Sequence, residues 1–332
     1  MGVDLSTKYM GLDLGSPLVV SACPLSESLT NVEMMQEHGA GAIVMFSLFE
    51  EQIRKSDPAY DDVSFRTSKF YKDYKDFFPA DHEYRVGCDQ YLEIIQAAKK
   101  RVDIPIIASL NGITDAGWID YAKEIEQAGA DGLEMNVYFI PTDMLASAEE
   151  VEKRYLHIIG RVRASVSIPI SVKLSPYFSS FGNMAWRVVN EGVEGIVLFN
   201  RFYQPDFDIN KISVFSDLDL SVPNEIRLPL LWISLLYKKF DTSIAATSGV
   251  QGGKEVIKYL LAGADAVMMA SALYRHGIEY LYTMKREISS WMNDHEFESV
   301  NDFKGRLSQQ NIMDTTAFER ANYIKVLEGI RE

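Results

Sequence analysis

One short phrase recurs four times along the chain and limits its folding choices more than any other feature. The copies are Gly39-Ala40-Gly41-Ala42-Ile43, Gly129-Ala130-Asp131-Gly132-Leu133, Gly192-Val193-Glu194-Gly195-Ile196 and Gly263-Ala264-Asp265-Ala266-Val267. Each follows a stretch with helical patterning and precedes a short apolar run. The leading glycine suits the residue just past a helix, where φ is usually positive, and an apolar run of about five or six residues suits a strand buried on both faces. The phrase reads as a helix-to-strand connection.

A second phrase alternates with the first: Ile104-Pro105-Ile106-Ile107 and Ile168-Pro169-Ile170-Ser171, echoed by Thr242-Ser243-Ile244-Ala245. Proline is admitted at the first residue of a strand, where its missing N–H costs the ladder nothing. Apolar runs fall at 17–22, 42–46, 104–109, 132–137, 168–174, 195–199, 243–248 and 265–270. A chain of 332 residues with 47% hydrophobic content can bury a core of that many strands. Eight such units separated by helices predict an α/β chain folded as a (β/α)8 TIM barrel, with an open doubly wound sheet as the competing arrangement. The barrel is expected over residues 1–285, with a charged helical extension over 286–332 packed on it or at a subunit contact.

Two long insertions break the rhythm. Residues 50–90 are rich in aromatic and charged side chains, and residues 201–229 carry Pro205, Pro223 and Pro229. In a barrel, long βα loops lie over the catalytic face, so both are candidate lids; the plainer alternative is surface decoration.

A formal net charge of −14 opposes a nucleic-acid partner or an anionic membrane surface. The two cysteines, Cys23 and Cys88, lack metal-ligand spacing, and the five histidines show no pattern with acidic residues, so no metal site is expected and any redox cofactor is expected to be organic. The opening Met1-Gly2-Val3-Asp4 lacks a charged region followed by an apolar one, and no apolar stretch approaches the roughly 18 residues of a membrane span. A cytoplasmic location follows as the expectation.

Reacting groups in this architecture project from the carboxyl ends of the strands. Polar residues there include Ser109, Asn111, Asn136, Lys173, Ser175, Asn200, Ser248 and Ser271. Lys173 ends a strand that reads Ile-Pro-Ile-Ser-Val, so its ammonium points into a crowded site and calls for an anion or an electron-rich ring. The alternative is a solvated lysine just past the strand. Asn111, Asn136 and Asn200 follow three different strands and offer donor and acceptor together to the edge of a heterocycle, although turn asparagines are common. The run Thr247-Ser248-Gly249-Val250-Gln251-Gly252-Gly253 and the small residues Ala270 and Ser271 follow the last two strands. Loops at those positions often form a phosphate site, and ordinary tight turns are the alternative.

The chain resembles the dihydroorotate dehydrogenase family of FMN barrels from about residue 5 to residue 280. The segment Leu5-Ser6-Thr7 through Ser21-Ala22-Cys23-Pro24 is similar to that family's N-terminal hairpin and first strand. Val172-Lys173-Leu174-Ser175-Pro176 is similar to its flavin-contacting lysine strand, and residues 248–277 to its FMN-phosphate loops. The resemblance implies Lys173 beside the pyrimidine edge of the flavin, with Ala22, Ser109, Asn136 and Asn200 lining the ring or the substrate. It likewise implies that Ser248, Gly249, Val250, Ala270 and Ser271 hold the phosphate. The family's proton acceptor, a cysteine or serine shortly after the asparagine matched to Asn136, is replaced here by Phe139 in Val137-Tyr138-Phe139-Ile140-Pro141. Tyr138 and Cys88 are the candidate substitutes.

Three functions remain open on the sequence. The first is an FMN-dependent oxidoreductase acting on a small cyclic or conjugated substrate, dihydroorotate by default as in pyrimidine biosynthesis, with a soluble electron acceptor or donor and a homodimer among its arrangements. The second is a non-redox barrel enzyme that binds a phosphorylated substrate and uses Lys173 as a Schiff-base nucleophile. The third is a flavin-binding protein without dihydroorotate turnover.

Overall fold

A computed structural model describes residues 2–50, 52, 87–112, 118–137, 140–202, 204–215, 219–313, 315–318 and 320–329. Eight parallel strands close on themselves: β3 (Leu18–Val20), β4 (Ala42–Phe49), β5 (Ile106–Gly112), β6 (Gly132–Val137), β7 (Ile170–Leu174), β8 (Gly195–Leu198), β11 (Ser243–Ala246) and β12 (Ala266–Met269). Six of the eight apolar runs contain one of these strands whole, and the runs at 42–46 and 104–109 cover the first part of β4 and β5, which continue to Phe49 and Gly112. Closure rules out the open-sheet alternative, because β12 pairs with β3 rather than leaving two free edges.

The leading glycine of each recurring phrase has positive φ: Gly39 at 101°, Gly129 at 90°, Gly192 at 87° and Gly263 at 119°. A side chain is disfavoured there, so the phrase stops a helix and turns the chain into the next strand. The strands β5 and β7 begin one residue after Pro105 and Pro169 rather than on them. Proline has no N–H to give, yet each proline carbonyl accepts from the neighbouring strand, from Ile43 at 3.0 Å and from Leu133 at 2.9 Å.

Alternation along each strand divides the core in two. Leu133, Met135 and Val137 of β6 face the helical layer, with Ile125, Ile158 and Ile159 in the same cluster. The barrel interior holds Val19, Val44, Ile107, Val197, Ala245 and Met268 together with Tyr9 and Met10. The last two come from an antiparallel hairpin, β1 (Thr7–Tyr9) and β2 (Leu12–Leu14), which plugs the amino-terminal end of the barrel. The Met10 backbone N–H donates to Ser243 Oγ at 3.1 Å. A Cβ on Gly195 would lie 2.9 Å from Met10 Cγ, and one on Gly132 would lie 3.2 Å from Met10 Cε. The second glycine of two of the phrases therefore makes room for the plug.

Residues 201–229 are not a bare loop. They contain a two-stranded hairpin, β9 (Asp206–Asp208) and β10 (Ser213–Phe215), and then a short 3-10 turn at Pro223–Ile226 that leads into the helix Arg227–Leu236. Most of the other insertion, residues 51 and 53–86, lies outside the described residues. The boundary expected between 285 and 286 falls inside the helix Tyr280–Asp294, whose buried stripe of Leu281, Met284, Ile288 and Met292 runs unbroken across it. The chain beyond that helix is tied back to the barrel layer by Lys304 to Asp265 at 2.8 Å and by the Leu307 N–H to the Leu261 carbonyl at 2.9 Å. No helix among the described residues is long and apolar enough to cross a membrane.

Candidate functional site

Inward-facing positions at the carboxyl ends of neighbouring strands share a level of the barrel. Asn111 of β5 pairs in register with Asn136 of β6, and Asn136 with Lys173 of β7. One step deeper, Ser109 pairs with Glu134 and Glu134 with Ser171. The strand geometry that buries the apolar outer faces thus lines the mouth with polar groups, as the alternation of a strand requires.

Lys173 is 8% exposed, so the solvated-lysine alternative does not describe it. Its Nζ lies 3.5 Å from Glu134 Oε1 and donates to Ser21 Oγ at 3.4 Å. Both contacts are long for charge-assisted bonds, which normally fall near 2.7–2.9 Å. An ammonium carries three donors. Lys173 therefore retains donor capacity directed at the mouth. Glu134 is fully buried, and neither of its carboxylate oxygens has a hydrogen-bond donor among the described residues. Beside it the Tyr9 hydroxyl is held far above the ordinary phenol range, first by burial and then by the Glu134 charge, so Tyr9 stays neutral.

The carboxamides also meet. Asn200 Nδ2 donates to Asn136 Oδ1 at 2.7 Å, leaving the Asn136 amide and the Asn200 carbonyl oxygen to the mouth. Ser109 is buried, and its hydroxyl pairs with Ser47 at 2.9 Å while Tyr91 brackets its backbone. Ser47 therefore competes for the group expected to line a ring. At the foot of the same wall, Cys23 follows Ala22. Burial raises the Cys23 thiol above its usual range, with Lys173 among the opposing influences.

Beyond β11, Ser248 and Gly249 have consecutive positive φ values of 78° and 73°. The backbone N–H groups of Gly249, Val250, Ala270 and Ser271 donate to no acceptor among the described residues, although Gly249 and Val250 are buried. Buried peptide N–H groups are rarely left unpaired, so Gly249 and Val250, with the half-buried Ala270 and Ser271 on the other loop, fit an anion. The Ser271 hydroxyl is engaged elsewhere: it accepts from the Ser221 N–H at 3.1 Å and pairs with the Ser221 hydroxyl at 3.0 Å. As the acceptor in both bonds, Ser271 keeps its own O–H as a donor beside its backbone N–H.

Ser221 belongs to a strap, residues 219–226, laid across these loops. Gln251 and Arg275 both donate to the Ser221 carbonyl, at 2.8 and 2.7 Å, and Arg275 reaches the Leu220 carbonyl at 2.9 Å. Arg201 holds the Asp219 carbonyl and pairs with Glu225 at 3.1 Å. The strap lies within the 201–229 candidate lid, but sequence reading did not single out its residues beyond Pro223, and it missed Ser21 and Glu134. A lone acidic residue inside the apolar run Gly132–Val137 was the available signal for Glu134.

Tyr138 and Phe139 lie outside the described residues. Cys88 opens the helix Cys88–Lys99 and is buried in the helical layer, where the Tyr121 hydroxyl donates to its carbonyl at 2.5 Å. It stands at the amino end of that helix, in the helical layer rather than among the inward-facing strand-end groups. Just outside the mouth, a cavity of about 330 Å³ is lined by Ile140, Pro141, Tyr155, Ser175, Tyr177 and Phe202 among others, giving apolar room beside the end of β7.

Comparison with known proteins matches the dihydroorotate dehydrogenase family profile to residues 84–292. The catalytic subunit of dihydroorotate dehydrogenase B (NAD(+)) from Methanocaldococcus jannaschii is 25% identical over 301 residues, covering 87% of this chain and 94% of that protein. The chloroplastic dihydropyrimidine dehydrogenase (NADP(+)) of Arabidopsis thaliana is 22% identical, covering 96% of this chain and 80% of that protein. The NAD-dependent dihydropyrimidine dehydrogenase subunit PreA of Escherichia coli K12 shows the same identity and coverage.

Proposed function

Because the chain belongs to the dihydroorotate dehydrogenase family and is an oxidoreductase acting on CH–CH bonds, we propose that it binds FMN across the barrel mouth and exchanges hydride with a small pyrimidine-type ring. The observation that carries the proposal is the buried, under-paired ammonium of Lys173 beside a pair of bonded carboxamides. FMN, when bound, supplies hydride acceptance and donation at its ring.

The chain's own residues divide the remaining work. Lys173 places positive charge where a reduced ring gathers negative charge, an electrostatic role that gains strength in a site shielded from water. Asn136 and Asn200 present one donor face and one acceptor face, with Asn111 next to them in register, suiting a ring that carries alternating carbonyl and N–H groups. The peptide N–H groups of Gly249, Val250, Ala270 and Ser271 receive the phosphate. Ala22 and Ser248 complete the wall around the ring and its tail, and Ser109 supports it through Ser47.

The relatives divide between dihydroorotate and dihydropyrimidine in their names, so the substrate class proposed is a 5,6-dihydropyrimidine, with dihydroorotate as the first candidate. Tyr138, two positions after Asn136 in the sequence, is the proposed proton donor or acceptor at the substrate carbon. Electrons leave to a soluble acceptor or a partner subunit. Cys23 and Cys88 are both buried, one beside the mouth and one in the helical layer, so these two cysteines do not supply the ligands of an iron–sulfur relay. Family membership argues against the alternative in which Lys173 is a Schiff-base nucleophile.

The test is to purify the protein, record its visible spectrum, and add L-dihydroorotate or dihydrouracil without oxygen. Bleaching of a bound flavin band by either compound supports the proposal and selects the substrate. Absence of flavin binding after FMN is supplied refutes it.

A further inference from the structure

We infer that Glu134 is a positioning residue: through Lys173 it sets how much positive charge the barrel mouth presents, and with that how readily a flavin bound there accepts electrons. The inference rests on the flavin proposed above.

The described residues that are charged and under 9% exposed are Glu50, Glu134, Lys173 and Glu255. Among these, Glu134 and Lys173 form an ion pair in the barrel interior at 3.5 Å, on adjacent strands and one step apart in depth. A carboxylate at that depth is expensive unless donors satisfy it, yet both of its oxygens lack them among the described residues. An apolar side chain, like those of Val44, Ile107 and Val197 elsewhere in the barrel interior, would fill the position at lower cost. The carboxylate is therefore poorly explained by stability, and its nearest cation is the residue that faces the ligand.

Position determines what it does there. Glu134 lies below Nζ and the mouth lies above it, so the carboxylate partly cancels the field that Lys173 projects onto a ring in the mouth. Two-electron reduction of a flavin with uptake of one proton adds one negative charge to the ring. A full positive charge beneath that ring favours reduction, and a neighbouring carboxylate opposes it. The interior amplifies both effects, because few water molecules or mobile charges screen them. Tyr9 and Tyr91, the two phenols on which the Glu134 charge acts, are both held above the ordinary phenol range, first by burial, so they stay neutral and do not offset it.

The experiment compares the midpoint potential of FMN bound to the wild-type chain with that bound to Glu134→Gln, Glu134→Asp, Lys173→Met and the double variant Lys173→Met/Glu134→Gln. Potentials are read by equilibration with a reference dye, and FMN affinity by fluorescence quenching. Glu134→Gln keeps the shape and removes the charge. It is expected to shift the oxidised-to-reduced equilibrium at least tenfold toward reduction, about 30 mV upward for a two-electron couple. Glu134→Asp is expected to stay near wild type, and the Gln substitution to have little effect once Lys173 is Met. A variant that misfolds shows itself in the FMN titration, and the Asp variant then decides by whether its potential follows the retained charge. Bound flavin with an unchanged potential in Glu134→Gln, or an equal shift without Lys173, overturns this inference and leaves the proposed function standing. A wild-type chain that binds no FMN overturns both.

Discussion

Replacing Lys173 by methionine removes the cation but keeps most of the side-chain volume, which turns the buried pair into a measurable quantity. Glu134 would then be fully buried with no donor and no counter-charge among the described residues. Breaking a buried pair by deleting one partner typically costs about 3–5 kcal/mol, most of it the penalty for the stranded charge. With an unfolding entropy of about 2.1 cal/mol/K per residue, a chain of 332 residues has about 0.7 kcal/mol/K at its midpoint. The expected loss is therefore about 4–7 °C in Tm. Glu134→Met alone should lose less, since Nζ keeps Ser21 at 3.4 Å and the open mouth above it. Combining Lys173→Met with Glu134→Met removes both charges, and an apolar pair of similar volume is often neutral or stabilising. The double variant should then recover most of the loss, giving strong non-additivity in a double-mutant cycle. Thermal unfolding is followed on flavin-free protein, because a bound ligand would raise Tm by mass action. A Lys173→Met variant that loses less than about 1 °C, or singles that simply add, would refute the reading of Glu134 as a charge held by Lys173.

Three further outcomes are expected. Gly249→Ala places a Cβ 2.5 Å from Ile226 Cγ2 at a φ of 73°, so it should displace the strap, lower Tm and weaken FMN binding at least tenfold by fluorescence titration. Asn200→Ala strands the Asn136 carboxamide and removes an acceptor from the mouth; a loss of about 1.5–3 kcal/mol predicts a fall in kcat/KM of roughly ten- to 150-fold with flavin retained. Burial raises the Cys23 thiol, so at any given pH less of it is thiolate in the folded chain than in the unfolded one. Iodoacetamide labelling followed by mass spectrometry should show folded Cys23 modified only at higher pH than in denaturant, and equal pH profiles would contradict its burial.

Much of the architecture was legible before any coordinates. The recurring phrase located four helix ends, and the apolar runs located all eight barrel strands within a few residues, because both signals depend on near neighbours in the chain. Lys173, Asn136 and Asn200 were legible as strand-end polar groups for the same reason, and the structure brings them to one mouth. The insertion after β8 was read as a proline-containing candidate lid, with no secondary structure assigned inside it. Its sequence alternates in Asp206-Phe207-Asp208-Ile209 and Ile212-Ser213-Val214, but these runs are short and their apolar residues are exposed, so the alternation points to no core face.

The sequence by itself determined where helices stop and strands begin, since a positive φ at Gly39, Gly129, Gly192 and Gly263 is a demand of the local backbone. Only the tertiary structure decided why Gly132 and Gly195 are glycines, which awaited the Met10 plug, and what Ser271 does, which awaited Ser221 fifty positions earlier. It also decided the meaning of Glu134. A carboxylate in an apolar run is a defect or a device according to the charge across from it, and that charge arrives only when two strands pair in register. Ser21 and Lys173, 152 residues apart, meet on the same terms. Barrel closure brings these groups together, and the short-range periodicities that reveal the strands carry no record of which strand ends will share one mouth.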